Sequence, residues 1–292
     1  MNPTRTNQTT MNQGSTKSKV FLVGAGPGDP ELLTLKAVRV LRSAEVVLHD
    51  DLVGAGVLDL IPKTAQIHNV GKRCGRPSMT QSEINALLVA VGSLGLQVVR
   101  LKGGDPLIFG RAGEELEALR AAGIPVEIIP GVSSALAAAA AAQIPVTHRE
   151  LSSALVFLAG HHAKGQRPDG CIESLSTKVT YAIYMPGYDY AVMSARLVKG
   201  GLPSETPCAI VSQVASEGER VYRTTLRELP SAPHLPSPTM LFVGKVVRLA
   251  SHASLEPGSE CWLRDLNFTE TDAPAVVSLT AQAQKSTPGD QG

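Results

Sequence analysis

The 292-residue chain has no surplus of either charge, with 27 Lys and Arg against 26 Asp and Glu, a formal +1. That balance provides no global field for a polyanion, so no nucleic-acid partner is expected, and an anionic ligand must be met by a local basic cluster. Cysteine is sparse and scattered (Cys74, Cys171, Cys208, Cys261), without a C-x-x-C pair or a histidine at zinc-ligand spacing; this excludes a legible structural zinc site and fits a reducing compartment. No stretch reaches the roughly 18 apolar residues that span a bilayer, and the polar segment Met1–Ser18 lacks the apolar core of a secretory signal. A cytoplasmic protein with no membrane contact is expected. No period of roughly 20–50 residues repeats, which excludes solenoids and propellers.

What is present is a core-forming composition, 43% hydrophobic and 18% charged, long enough for two domains. Residues 1–18 and much of 269–292 are polar or low in periodicity and are expected to be disordered. Between the tails, apolar strand-like runs alternate with helix-period segments: 20–23 then 31–43, 45–49 then 54–60, 66–70 then 80–94, 97–102 then 111–122, and 125–129 then 133–142. Such βα alternation predicts a mostly parallel sheet covered on both faces. Pro145 biases Ile144 away from helix, which places a linker there. Strand-like runs then dominate (Ala154–Leu158, Val179–Met185, Cys208–Gln213, Arg220–Leu226, Met240–Val247), with one helix near 189–200. The expected organisation is an N-terminal tail (1–18), an α/β domain with a mostly parallel sheet (19–145), a smaller α/β domain with a mixed sheet (146–250) and a largely flexible C-terminal tail (251–292). The Ala137–Ala142 run is a good helix former, and its small side chains allow close approach to a sheet or ligand loop.

Two loops carry the chemical signal. In Arg100-Leu-Lys-Gly-Gly-Asp-Pro-Leu-Ile-Phe-Gly-Arg-Ala112 an apolar run stops at Gly103-Gly104 and delivers an acid, a proline and a helix start. Alone this is a tight turn; at the carboxyl end of a parallel strand it can face a ligand. In Val20–Leu35 a strand runs into Gly24-Ala-Gly26-Pro27-Gly28-Asp29, which fails as a dinucleotide fingerprint because the third glycine is Asp29 and Pro27 removes an amide from the turn. An acid after the second strand (Asp50, Asp51) keeps a nucleotide reading open. His161-His162 point to opposite faces if extended, and no third ligand is legible, so no metal is expected.

Seven ordered motifs turn these signals into a family resemblance: Val23–Pro30, Gly71-Lys-Arg73, Arg100–Pro106, Ile108–Arg111, Pro130–Ser134, Ile144–Arg149 and Val243–Val247. Over roughly residues 19–250 the chain resembles the S-adenosylmethionine-dependent uroporphyrinogen-III C-methyltransferases. The resemblance implies the tetrapyrrole methylase fold, not a Rossmann fold: two α/β domains, with S-adenosylmethionine in the cleft between them. It also implies a homodimer that methylates C2 and C7 of uroporphyrinogen III, giving precorrin-2 via precorrin-1 for siroheme, cobalamin or heme d1, with S-adenosylhomocysteine released. Bifunctional siroheme synthases add a dehydrogenase–ferrochelatase domain, for which the segment before Val20 leaves no room, so a methyltransferase alone is expected. Alternatives are methylation of later corrin precursors, RNA or diphthamide precursors, or tetrapyrrole binding without chemistry.

By the same resemblance, Asp50 matches a proton acceptor and Lys72 a proton donor. Asp50 otherwise reads as a helix cap or turn acid. The acceptor's eight carboxylates require fixed cations, and Arg111 and Arg149 are the expected contacts, with Glu114 orienting Arg111 or joining a proton relay; a plain surface Arg–Glu pair is the bland alternative. The cofactor positions carried over are Pro27, Gly103, Gly104, Asp105, Ile108, Ser133, Ser134, Met185 and Val214. His49 stands where relatives often have Tyr, and Ser133-Ser134 where they commonly have Thr-Ala.

Overall fold

The structure, a computed structural model, describes residues 19–71, 79–160 and 174–250. Two five-stranded sheets account for its architecture. The first is wholly parallel, in the order β3-β2-β4-β1-β5: β1 (Val20–Gly24), β2 (Val46–His49), β3 (Gln66–Asn69), β4 (Val98–Lys102) and β5 (Val126–Ile129). Strict alternation along β1 and β4 divides their side chains between two layers. Val23, Val99 and Leu101 pack with α1 (Leu35–Leu41) and α2 (Ala55–Leu58). Val20, Leu22 and Val98 pack with α3 (Gln81–Gly92) and α4 (Ala112–Ala121). Arg100 and Lys102 fall on this second face by the same period, beneath α4. The polar edge strand β3 is exposed throughout, as an unpaired edge requires.

The second sheet is mixed, in the order β6-β7-β10-β8-β9: β6 (Ala154–Ala159), β7 (Val179–Tyr184), β8 (Pro207–Ser212), β9 (Arg220–Thr225) and β10 (Thr239–Val243). Only β6 and β7 are parallel. One face is covered by α6 (Tyr190–Lys199) through Tyr190, Met193 and Leu197. The other is covered by the alanine helix α5 (Ser134–Ala141), whose Ala135, Ala138 and Ala139 lie against Ala209, Met240 and Phe242. The helix that follows the first sheet thus closes the second, and residues as far as Ala250 make one compact unit.

Two expected elements differ. The helix expected over 31–43 splits into a 3-10 turn (Pro30–Leu32) and α1, because Leu33 and Thr34 are extended and the Thr34 hydroxyl caps α1 by accepting from Ala37 N at 3.2 Å. The strand expected over Met240–Val247 stops at Val243: Gly244 adopts φ 149 and a 3-10 turn follows over Lys245–Leu249. With no glycine after α5, Gln143 takes the left-handed position itself, at φ 54. Among the described residues no helix is long and apolar enough to cross a membrane.

Candidate active site

Parallel pairing places the ends of β1, β2, β4 and β5 at one edge of the sheet, and their loops build the site. The β1 and β4 loops are zipped together: Ala25 N donates to Lys102 O at 2.7 Å, Gly26 N to Gly104 O at 3.2 Å and Gly104 N to Gly26 O at 2.7 Å. The β5 loop is pressed onto both, so closely that a Cβ at Gly131 would stand 2.4 Å from Gly104 O and 2.8 Å from Gly24 Cα. Asp105 locks this arrangement, its two carboxylate oxygens accepting from Leu107 N at 2.9 Å and Gly131 N at 3.1 Å.

Two adjoining cavities open over these loops. The smaller, about 230 Å³, runs between the sheets; Pro27, Gly103, Gly104, Ile108 and Ser134 meet Tyr184, Met185, Val211, Val214 and Met240 there. Its wall is apolar side chain and bare backbone, with few side-chain polar groups. The larger, about 480 Å³, lies over the first sheet and is lined by Asp51, Val70, Gln81, Arg100 and Arg111 among others. Asp50, Leu52, Lys102, Phe109 and Gly110 face both, so a ligand in each would meet at that wall.

Beneath the wall is a buried ionic cluster. Arg100, 2% exposed, donates through Nη2 to Asp50 Oδ1 at 2.5 Å and through Nε to Glu115 Oε1 at 2.9 Å. Lys102 Nζ donates to the same Glu115 oxygen at 3.0 Å and lies 3.8 Å from Asp50 Oδ2. Glu115 is fully buried on α4, and its Oε2 finds no hydrogen-bond partner among the described residues. Burial, reinforced by the positive charge of Arg100, holds the Lys102 ammonium below its usual pKa; Glu115 and Asp50 work in the opposite direction. His49 is buried beside the cluster, and its Nδ1 donates to the Asp50 carbonyl at 2.9 Å, which fixes the tautomer because a carbonyl can only accept.

Of the residues expected for the cofactor, Pro27, Gly103, Gly104, Ile108, Ser134, Met185 and Val214 line the smaller cavity. Ser133 and Asp105 do not line it; the Ser133 hydroxyl shares a 2.5 Å hydrogen bond with Tyr184 and caps α5, while Asp105 ties loops together. Arg111 lines the larger cavity at a left-handed φ of 57, its guanidinium held in a fork by Glu114 at 2.8 and 2.7 Å. That fork draws the Glu114 carboxyl below its usual pKa. Asp50 caps no helix; α2 starts from Gly54. Arg149 is exposed and lines neither cavity. Lys72 and the His161-His162 pair lie outside the described residues. Sequence reasoning missed Arg100, Lys102 and Glu115 as a unit. The available signal was two cations at i and i+2 inside an otherwise apolar strand, which must share a face and require buried anions. Tyr184 and Phe109, in ring contact at 4.8 Å, were also missed.

Residues 19–230 match the family model described as tetrapyrrole (corrin/porphyrin) methylases. The chain is 44% identical over 236 residues to a siroheme synthase of Nitrosospira multiformis, covering 80% of this chain and about half the length of that relative. It is 44% identical over 241 residues to a uroporphyrinogen-III C-methyltransferase of Paracoccus denitrificans, covering 81% of this chain and 84% of that one. Its fold matches the Thermus thermophilus uroporphyrin-III C-methyl transferase solved with S-adenosylhomocysteine, at TM-score 0.69 and 38% identity, over 79% of this chain and 99% of that one.

Proposed function

The chain belongs to the tetrapyrrole (corrin/porphyrin) methylase family, and from that premise we propose that it transfers methyl groups from S-adenosylmethionine to C2 and C7 of uroporphyrinogen III. The product is precorrin-2, formed via precorrin-1, for siroheme, cobalamin or heme d1 synthesis. The carrying observation is the wall shared by the two cavities, where Asp50 and Lys102 stand between a mostly apolar, glycine-floored pocket and a larger one that contains Arg111.

The smaller cavity fits the methyl donor by its own chemistry. Gly103 and Gly104 present bare backbone, and a Cβ at Gly104 would meet the Ser134 hydroxyl at 3.1 Å. Ile108 and Met185 offer apolar and polarizable surface for a purine and a thioether, and the Ser134 hydroxyl can hydrogen-bond. When bound, S-adenosylmethionine supplies an activated methyl group on a sulfonium, so no side-chain nucleophile is required. The protein's task is then alignment, which can contribute about 7–11 kcal/mol, and management of the proton that leaves the macrocycle. Asp50 serves as proton acceptor at the shared wall, its Oδ1 fixed by Arg100 and its Oδ2 facing Lys102. Arg111, pre-formed by Glu114, pairs with carboxylates of the macrocycle; by family correspondence Arg149 is a second carboxylate contact and Lys72 the proton donor. A homodimer belongs to the same reading.

The test is anaerobic incubation with uroporphyrinogen III and labelled S-adenosylmethionine. Two labelled methyl groups per macrocycle are expected from the wild type. An Asp50→Asn protein of unchanged melting temperature should lose about 10²–10⁴-fold in turnover. Methylation of a later corrin precursor in place of uroporphyrinogen III would overturn the assignment of the acceptor.

A further inference from the structure

We propose that Lys102 is the residue on which the proton released from the macrocycle comes to rest, received through Asp50, and that its neutral amine is the working state of the enzyme. This rests on the methyltransfer reading above and adds a residue to it. Lys102 is buried, yet it borders both cavities, and its Nζ stands 3.8 Å from Asp50 Oδ2. A small rotation of the Lys102 stem closes that gap.

The charges that bear on Lys102 come from three elements. Arg100 lies two residues back on β4, Asp50 follows β2, and Glu115 projects from α4, where the more distant Glu114 is held in its fork with Arg111. From α3 the neutral amide of Gln81 reaches Glu115 at 3.5 Å. With both cations protonated, Arg100, Lys102, Asp50 and Glu115 sum to zero. Loss of the Lys102 proton leaves one net negative charge at the shared wall, the sign that complements a cationic methyl donor on one side and a cationic alkylated ring on the other. Arg100 cannot take this part, because a guanidinium does not deprotonate in a protein. Burial, and after it the charge of Arg100, lowers the Lys102 pKa from its ordinary value and so moves the residue toward the neutral amine.

The step balances as a plain proton transfer. After alkylation the electron pair of a ring C–H bond stays in the macrocycle and quenches its positive charge, while the proton passes to Asp50 Oδ2. The lone pair of the neutral Lys102 amine then takes it, Asp50 returns to carboxylate, and the new ammonium loses its proton to water before the next cycle. Lys102 is thus a positioning residue that acts through Asp50. Activity should rise with pH as the amine loses its proton, at a midpoint below the ordinary lysine value of 10.5.

Two measurements test this. In the first, Lys102→Arg keeps a cation beside Glu115 but cannot release a proton. Its turnover should fall about 100-fold or more, with the lysine-dependent rise lost from the pH profile, while S-adenosylhomocysteine binding by calorimetry changes less than about threefold, under 1 kcal/mol. Wild-type turnover with an unchanged profile in this variant would overturn the proposal. In the second, the protein without ligand is labelled at lysine Cε with ¹³C and titrated by NMR, the Lys102 signal being assigned by its loss in Lys102→Gln. A midpoint below 10.5, lower still in Glu115→Gln, is expected; a midpoint at or above that value would overturn the proposal even if Lys102→Arg fails to fold. Failure of the wild type to methylate uroporphyrinogen III overturns the functional reading, whereas wild-type transfer combined with an unchanged Lys102→Arg profile overturns this proposal alone.

Discussion

The two sheets contribute to the site in different ways. The parallel sheet ends in loops that carry charge, and it stores a four-residue ionic cluster under them: Asp50, Arg100, Lys102 and Glu115 all belong to its strands, loops or covering helix. The mixed sheet contributes shape, through Tyr184, Met185, Val211, Val214 and Met240 along the smaller cavity. The difference teaches that charge and shape are supplied by separate sheets here. Ionised groups need buried counter-charges held by neighbouring strands, and a parallel sheet gathers several strand ends at one edge. An apolar wall requires only packed surface.

That separation can be broken most forcefully at Arg100. Arg100→Met removes the guanidinium that bonds both Asp50 and the fully buried Glu115 and leaves Lys102 as the one remaining cation of the cluster, which should cost about 3–5 kcal/mol of stability. Urea denaturation of the variant should show it as a lower midpoint, and a change within error would mean that the cluster is not the keystone of the parallel sheet's edge. A smaller effect is expected on the other side. Met185 is 50% exposed, so Met185→Ala should leave the fold intact and remove part of a thioether's contact area. S-adenosylhomocysteine affinity should fall about fivefold, about 1 kcal/mol, with turnover at saturation nearly unchanged; a loss of turnover without a loss of affinity would collapse the division between the sheets.

The smallest effect is at the surface of the parallel sheet, where Glu127 pairs with Lys19 and Lys36. Hydrogen bonds from both lysines lower its carboxyl pKa to about 2. A depressed folded-state value means that the contribution to stability is complete above the ordinary value of 4.5 and is lost as pH falls toward about 2. Because Glu127 is only partly buried and both lysines are exposed, salt screens the pairs and the magnitude is small. Glu127→Gln should flatten the acid limb of the melting-temperature profile slightly at low salt and leave it unchanged at high salt. A persistent difference at high salt would show that packing, not charge, supplies the contribution.

Much of this was legible in the chain because its signals are local. Apolar runs marked the strands, and the alternation of strands with helices predicted the parallel sheet. Gly103-Gly104 and Pro27 marked the loops that line the smaller cavity. The extended cap residue Thr34 and the break at Gly244 were misread because one hydrogen-bonding side chain or one positive φ overrides an apolar pattern. Ser133 and Asp105, expected at the cofactor, also have structural roles that the motif did not announce: their polar atoms cap α5 and tie the β5 loop. Glu115 was invisible for a different reason. In sequence it is one of two adjacent helix acids, and only the rotation of α4 over β4 decides that Glu115 turns inward and Glu114 outward.

By itself, then, the sequence determined where the strands lie, that the first sheet is mostly parallel and which loops its strand ends carry, since these follow from apolar runs and backbone chemistry within a few residues. Only the tertiary structure decided that α5 would close the second sheet, that two cavities would share one wall and that Arg100 and Glu115 would gather behind Asp50 and Lys102 in it. Burial and ion pairing depend on distances between residues remote along the chain, and those distances exist only once the layers have packed.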